Sequence, residues 1–384
     1  MKGPSRSSSG GLRLMSEKAS SIQEVMDRLK ELGSRISSTL CKGDIPSVEH
    51  RRLSKSNVKF DLDLHTYELG NDSAEIRGDR KSSLKKLTAL AFLTRVSHER
   101  LEIGLSTTKR DYYYLQKSRH PLLMPSNQAE SDDVIRVAEV LHDLSRESFG
   151  VIAQSKGYLY GDITLKEPKM TINCMQTGGD GYSVPGNVEY IEIGDSSIKA
   201  LIAIEKEGIY RNLMELGIPE KLKIGVAMLG GQPSRGMRRM LRKFNDAGYP
   251  IGIWTDLNPY SLRIAANIIY GSIQSAHISR LSAPNAKFMG LETQDVDKLF
   301  STVRRVVLEP LTEEDLKAAN DNISLPYMRG DDGYWLHENQ WFIENLKKTE
   351  LEAFNALTKH ARDLEGVYLQ YLKEKTKEKL NVTL

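Results

Sequence analysis

Few side chains in this sequence are placed to do chemistry, and they fall in four places. The first is Tyr112-Tyr113-Tyr114 with Arg110 just before it. Arg110 and Tyr114 lie four residues apart, so on a helix they share a face. A guanidinium there can hold a phosphate through two hydrogen bonds beside the phenolic oxygen. A free tyrosine has a pKa near ~10 and needs a cation, metal or base to become a nucleophile. The plainer reading is three half-buried aromatics on a helix seam. They cannot all face the core, but composition does not say which is exposed. The second place is Glu205 with Asp256 and Asn258, acids that follow apolar runs. Magnesium takes hard oxygen ligands and keeps several waters, so a Glu from one loop and an Asp-x-Asn from another suit it. On spacing alone, acids at the start of the following helices explain them better.

The third place is Gly230-Gly231-Gln232-Pro233-Ser234-Arg235, leading into Arg238, Arg239, Arg242 and Lys243. A helix N-terminus there would bind phosphate, although the Gly-Lys-Ser/Thr ending of a P-loop is missing. A solvated charged face accounts for it equally well. The fourth is Lys156-Gly157, either a hairpin tip touching DNA backbone or a polar turn.

The elements that must position these residues divide the chain. Ile22, Val25, Met26, Leu29 and Leu32 recur at helical spacing within 16–42, ahead of Gly43. Val58 to Leu69 alternates around Asp63 and His65, predicting a hairpin. Residues 71–81 read as a charged linker. Leu84 to Leu101 is the next helix. Thr108 and Asp111 have capping-box spacing and start another. Asp133 to Ser145 is a third, and Gly150 to Leu165 predicts two strands broken at Lys156-Gly157. Helices followed by a small hairpin describe a winged helix, a unit that sets a helix in the DNA major groove. Beyond Lys199 come Ala200–Ile204, Lys223–Leu229, Ile251–Trp254 and Lys287–Leu291, short apolar runs alternating with helices, among them Pro259–Tyr270. This is the pattern of a parallel α/β sheet, whose ligands sit at the strands' carboxyl ends. From Leu311 the chain reads as helical, ending in a long helix over Glu338–Leu380 with one or two breaks.

With 384 residues, 39% hydrophobic and 27% charged, the chain can build two or three ordinary domains. No apolar run approaches the ~20 residues of a membrane span, and the N-terminus lacks the apolar core expected of a secretory signal. The Ser/Gly/Arg-rich residues 1–15 are expected to be a disordered leader, with Met15 an alternative start. Cys41 and Cys174 match no metal spacing, which places the protein in a reducing compartment. The net charge of +3 says little about partners.

Taken together, these segments resemble the A subunits of type IIB DNA topoisomerases (topoisomerase VI), a family shared with the meiotic double-strand-break transesterase. Thr108-Lys109-Arg110-Asp111-Tyr112-Tyr113-Tyr114 resembles the nucleophile motif, in a register that selects Tyr114, with Tyr113 second. Gln128 through Ser131-Asp132 resembles the stretch that follows, and Lys156-Gly157 through Gly161 the wing. Ile204-Glu205-Lys206-Glu207 is similar to the first motif of a Toprim domain. Gly231-Gln232-Pro233-Ser234 with Arg238-Arg239 is similar to the family's Gly-x-Pro loop and basic helix. Asp256-Leu257-Asn258-Pro259 is similar to its Asp-x-Asp-Pro motif, and Pro284 through Gly290-Leu291 to the following strand. The motifs occur in family order, from about Cys41 to Tyr371. One departs: Asn258 stands where the family has a second aspartate. That removes a charge and lowers the expected metal affinity, and Glu207 is the nearest acid that could compensate.

The resemblance implies a multidomain α/β protein. It would hold an N-terminal extension (16–70) that contacts the B subunit, then a CAP-like winged-helix DNA-binding domain (71–168). A connector (169–198) and a Rossmann-like Toprim parallel-sheet domain with a helical C-terminal part (199–384) would follow. It implies that Tyr114, assisted by Arg110, attacks a DNA phosphodiester to leave a 5′-phosphotyrosyl link. Glu205, Asp256 and Asn258 would hold Mg2+, and Lys156, Arg235, Arg238, Arg239 and Arg242 would bind DNA. The implied partners are double-stranded DNA, a second copy of the chain, and a GHKL-type ATPase B subunit that alone binds ATP, giving an A2B2 heterotetramer. The implied setting is cytoplasmic and nucleoid-associated. Rival readings are a meiotic-type break maker without strand passage, and a non-catalytic DNA-binding scaffold disabled by Asn258. A different Toprim enzyme leaves the Arg110–Tyr114 segment unexplained.

Overall fold

Helical periodicity near the N-terminus produces the elements it predicts. The protein is described by a computed structural model over residues 21–119, 125–278, 280–330 and 333–384. The expected leader lies outside the described residues. Helix α1 (Ile22–Cys41) is capped by Ser21, whose hydroxyl accepts from the Glu24 amide while the Glu24 carboxylate accepts from the Ser21 amide. It buries Val25, Leu29, Leu32 and Ile36 against α2 (Lys81–Glu102), while Ile22 stays exposed. Between them lie β1 (Ser47–Arg51), β2 (Val58–Asp61), β3 (Thr66–Leu69) and β4 (Ser73–Arg77). β2 and β3 form the predicted hairpin. The supposed linker 71–81 contains β4, which pairs antiparallel with β1. Only Ile76 of β4 is buried, too little alternation to announce a strand.

The helical module continues with β5 (Thr107–Thr108), α3 (Lys109–Arg119) and α4 (Gln128–His142). Leu87, Leu90, Leu93, Tyr112, Val134, Ile135 and Phe149 share its core. The predicted wing does not form. β6 (Val151–Ile152) pairs with β5, whereas β7 (Tyr158–Tyr160) leaves the module and joins the central sheet. Gly157, at φ +91, makes this possible: a Cβ there would lie 2.5 Å from the Met228 carbonyl oxygen. Strand signals are local and do not name a partner. The stretch expected to be a connector is also built up. β8 (Ile163–Glu167), β9 (Met170–Asn173) and β11 (Glu192–Ser196) make a three-stranded antiparallel sheet, and β10 (Tyr182–Ser183) pairs with β7.

The central sheet follows its apolar runs. β12 (Ala200–Ile204), α5 (Glu207–Glu215), α6 (Ile218–Leu222), β13 (Ile224–Met228), α7 (Arg235–Asp246), β14 (Ile251–Trp254), α8 (Pro259–Tyr270) and β15 (Lys287–Gly290) alternate as strand and crossover. Strand order is β10-β7-β13-β12-β14-β15, the last four parallel. All residues of β12, β13 and β14 are buried. β12 lies between β13 and β14, so the order reverses at β12. The loops leaving β12 and β14 therefore diverge and open a crevice. Ile204 pairs with Trp254 in register, so Glu205 leaves the sheet level with Thr255, one residue before Asp256.

The C-terminal part is helical, with α9 (Thr293–Lys298), α10 (Arg304–Val307), β16 (Glu309–Pro310), α11 (Glu313–Ile323), α12 (Tyr334–Asn345), β17 (Lys347–Lys348) and α13 (Leu364–Leu380). The predicted long final helix is thus two, separated by β17 and a tight 3-10 segment over Leu351–Leu357. α13 lies against β14 and β15: Tyr371 stacks on Trp254 at 5.1 Å, and Lys375 is buried among Glu292 and Asp295. Among the described residues, no helix is long and apolar enough to cross a membrane.

Candidate nucleophile and metal site

Helix α3 starts where its capping residues dictate. The Thr108 hydroxyl accepts from the Asp111 amide at 3.1 Å and donates to its carboxylate at 2.8 Å. Three successive tyrosines then point about 100° apart, and packing sorts them. Tyr112 is wholly buried; its hydroxyl accepts from Gln116 at 2.8 Å and donates to the Ala89 carbonyl at 3.3 Å, and burial pushes its pKa well above 10. Tyr113 donates to the Ser126 carbonyl at 3.2 Å. Tyr114 is 53% exposed, with the Arg110 guanidinium carbon 6.0 Å from its ring centre. The structure thus brings Arg110 and Tyr114 together on an open helix face.

At the crevice, the Asp256 amide donates to Glu205 Oε2 at 3.2 Å. Both carboxyls are buried. Burial, then the Glu205 charge, raises the Asp256 pKa to about 7, against the opposing Leu351 amide and Lys206. Burial also raises that of Glu205, against the Ser261 hydroxyl and the Asp256 amide. The Leu351 amide donates to Asp256 Oδ1 at 2.9 Å. Lys206 Nζ lies 3.2 Å from Asp256 Oδ2, 3.3 Å from Glu350 and 3.8 Å from Glu352. Asn258 caps α8, its Oδ1 accepting from the Ser261 amide at 2.8 Å. Glu207 is exposed and paired with Arg211, so it does not compensate for Asn258.

Glu350 and Glu352 escape any reading of the sequence. They reach the crevice because Leu257 and Thr349 exchange backbone hydrogen bonds at 2.9 and 3.0 Å, a contact spanning roughly ninety residues that no local pattern reveals. Two desolvated carboxylates repelling each other are what a divalent cation relieves, and Mg2+ commonly uses one or two carboxylates with water completing its shell. Glu205 and Asp256 fit that ion, with Asn258 able to offer its second lone pair. No group of three or more His, Cys, Asp or Glu side chains suited to a metal occurs among the described residues.

The basic residues implied to bind DNA are mostly engaged within the fold. Arg238 is buried, donating to the carbonyls of Leu281 and Asn267 at 3.0 and 3.2 Å and to the Ser275 hydroxyl. Burial, with the neighbouring Arg235, lowers its pKa to about 10, and it has almost no surface to offer a phosphate. Arg235 grips Glu139 with both nitrogens at 2.5 and 3.2 Å. Arg239 grips Glu189 at 2.6 and 3.0 Å, and Arg242 holds Asp246 at 2.6 Å. Lys156 donates to the Gln232 carbonyl at 2.8 Å, fastening the start of β7 to the loop before α7. α7 is a crossover helix wedged between the sheet and its neighbours: a Cβ on Gly236 would lie 2.3 Å from the Pro185 carbonyl oxygen. An arginine run predicts a charged face, not which acids will meet it. Arg235, Arg239 and Arg242 still border a cleft of about 1350 Å³ between α7, α1 and the β2–β3 hairpin.

Three sequence families match consecutive parts of this architecture. Residues 85–151 match the family described as type IIB DNA topoisomerase. Residues 156–197, spanning β7 to β11, match the all-beta domain in DNA topoisomerase VI alpha subunit. Residues 200–376 match the Toprim domain shared by Spo11 and the A subunit of topoisomerase 6. Relatives matched over most of their length agree. The A subunit of type 2 DNA topoisomerase 6 from Methanosarcina barkeri is 31% identical over 337 residues, 85% of this chain and 89% of the relative. Proteins of the same name from Halobacterium salinarum and Archaeoglobus fulgidus are each 30% identical, over 92% and 91% of this chain and 96% and 93% of theirs.

Proposed function

This chain belongs to the family of type IIB DNA topoisomerase (topoisomerase VI) A subunits, and from that membership we propose that Tyr114 is its DNA-cleaving nucleophile and that Glu205 and Asp256, with Asn258, hold a Mg2+ ion. The observation carrying this is the pairing of an exposed Tyr114 with Arg110, in a chain whose Glu205 and Asp256 meet at the switch point of its sheet. Arg110 would hold a phosphate oxygen through its fork of N–H donors beside the Tyr114 phenol. The Tyr114 oxygen then attacks phosphorus, the bond to the 3′ oxygen breaks, and the tyrosine keeps the 5′ phosphate. Mg2+, when bound, supplies positive charge against the developing negative charge. The ester conserves the energy of the broken bond, so religation by the 3′-hydroxyl needs no external source.

The same reading makes the chain a homodimer in which Tyr114 of one copy works at the acids of the other. A separate GHKL-type ATPase B subunit binds ATP, with residues 16–70 as its contact. Such an A2B2 assembly would pass one duplex through a break in another, relaxing and decatenating DNA in the cytoplasm. α3 and α4 would serve as the DNA-reading helices of the helical module. Arg235, Arg239 and Arg242 would meet DNA only by leaving their present partners.

The test is to mix the chain with its B subunit, ATP, magnesium and supercoiled DNA, quench with denaturant, and identify the linked residue by mass spectrometry. An adduct on Tyr114, lost in Tyr114→Phe with DNA binding kept, is expected. An adduct on Tyr113 would overturn the register. No adduct at all would favour a DNA-binding scaffold, a reading to which the capping role of Asn258 lends weight. Cleavage without ATP-dependent relaxation would favour a break maker.

A further inference from the structure

Both oxygens of Asp256 are engaged. Oδ1 accepts from the Leu351 amide at 2.9 Å, and Oδ2 faces Lys206 Nζ at 3.2 Å. The ammonium is also 3.3 Å from Glu350 and 3.8 Å from Glu352. One turn therefore holds Asp256 by its middle amide and the lysine by the two flanking carboxylates. Asp256 is nearly inaccessible at 3%, whereas the side chains of Glu350 and Glu352 remain 49% and 45% exposed. A divalent ion and an ammonium cannot share Oδ2 without strong repulsion. The lysine stem is flexible and its ammonium is a compact point charge, so a small swing exchanges Asp256 for the two glutamates.

We propose that Lys206 is a displaceable resident cation of this site. It neutralises Asp256 while no divalent ion is bound, and Glu350 and Glu352 receive it when one enters. The inference rests on the reading that Asp256 ligates a divalent ion. It assigns Glu350 and Glu352 a positioning role that acts through the lysine rather than through the metal.

The experiment measures Mn2+ binding to the purified full-length chain, without DNA or ATP, by the electron paramagnetic resonance signal of free Mn2+. Lys206→Met should tighten binding about tenfold or more by removing the competitor. Lys206→Arg, which keeps the charge and grips Asp256 with a fork, should not tighten it. Glu350→Gln with Glu352→Gln should weaken binding severalfold in the parent chain, and much less once Lys206 is Met. An equal loss in both backgrounds would make the glutamates direct ligands and overturn the proposal, as would unchanged or weaker binding in Lys206→Met. Asp256→Asn separates the two levels. If it binds Mn2+ as the parent does, the metal reading itself fails. If it loses binding while Lys206→Met gains none, only the role of Lys206 fails. Near-ultraviolet circular dichroism on each variant identifies any that misfold, and Lys206→Gln, which also removes the charge and should tighten binding likewise, takes the place of Lys206→Met if that variant is among them.

Discussion

Glu139 joins the two halves of the molecule, and Glu139→Gln should therefore loosen the tyrosine-bearing module from the sheet. The side chain, on α4, is 1% exposed. Its Oε1 accepts from Arg235 Nη1 at 2.5 Å and from the Arg146 amide at 2.9 Å; its Oε2 accepts from Arg235 Nη2 at 3.2 Å and lies 3.0 Å from His277 Nε2. Arg235 opens α7 and His277 follows α8, so a single carboxylate connects the helical module to two elements of the sheet domain. Glutamine preserves volume but leaves Arg235, among the described residues, with Glu147 at 3.9 Å and the more distant Asp132 as counter-charges. Removing one partner of a buried ion pair costs about 3–5 kcal/mol. With Glu147 nearby, we expect about 3 kcal/mol, a large fraction of the ~5–15 kcal/mol that stabilises a typical protein.

Urea unfolding reads this directly. All three tryptophans, Trp254, Trp335 and Trp341, lie in the sheet domain, so fluorescence follows that domain while circular dichroism follows all helices. In Glu139→Gln the circular dichroism transition should move to lower urea and part from the fluorescence transition. Acid provides a second reading. Burial alone would raise the Glu139 pKa, but His277 and then Arg235 outweigh it and hold the group at about 2, below its ordinary 4.5. A depressed carboxyl pKa contributes stability that is complete above the ordinary value and lost as pH falls from about 4.5 towards 2. The parent should lose stability over that window, and the variant should lose less. A stability change under about 1 kcal/mol, with coincident transitions and an unaltered acid limb, would refute the latch.

Asn258→Asp should lower the magnesium concentration needed for cleavage, because aspartate and asparagine cap helices almost equally while aspartate adds a charge beside Asp256. An unchanged requirement in a cleavage titration would remove position 258 from the metal site. Arg238→Ala should destabilise the fold by about 2–4 kcal/mol through its lost buried hydrogen bonds and leave the salt dependence of DNA binding intact. A shallower log–log salt slope would instead give Arg238 a phosphate contact.

What the sequence makes legible follows from the range of the interactions. Ala200–Ile204, Ile251–Trp254 and Pro259–Tyr270 match their elements to the residue, since a strand buried on both faces must be uninterruptedly apolar and Asn258-Pro259 opens a helix by its own chemistry. The partner of β7 is hidden because Tyr158–Tyr160 reads alike beside β6 or β13, and only the close approach of Gly157 to Met228 decides between them. The arginines of α7 read as a phosphate site or a solvated charged face because the acids of Arg235 and Arg239, Glu139 and Glu189, lie 96 and 50 residues earlier in the chain. The tyrosine triplet lies between these cases. Helical geometry guarantees that one phenol is exposed, but the phase of α3 is set by contacts to other helices. Tyr112 reaches Ala89 of α2, and Gln116 accepts from Ser131 of α4 at 2.8 Å. Those contacts turn Tyr112 inward, and the 100° step then directs Tyr114 outward with Arg110 one turn behind it. Motif register points to Tyr114 by resemblance, and packing independently leaves its phenol the exposed one. Substituting Gln116 or Ser131 should therefore disturb the proposed nucleophile without touching it.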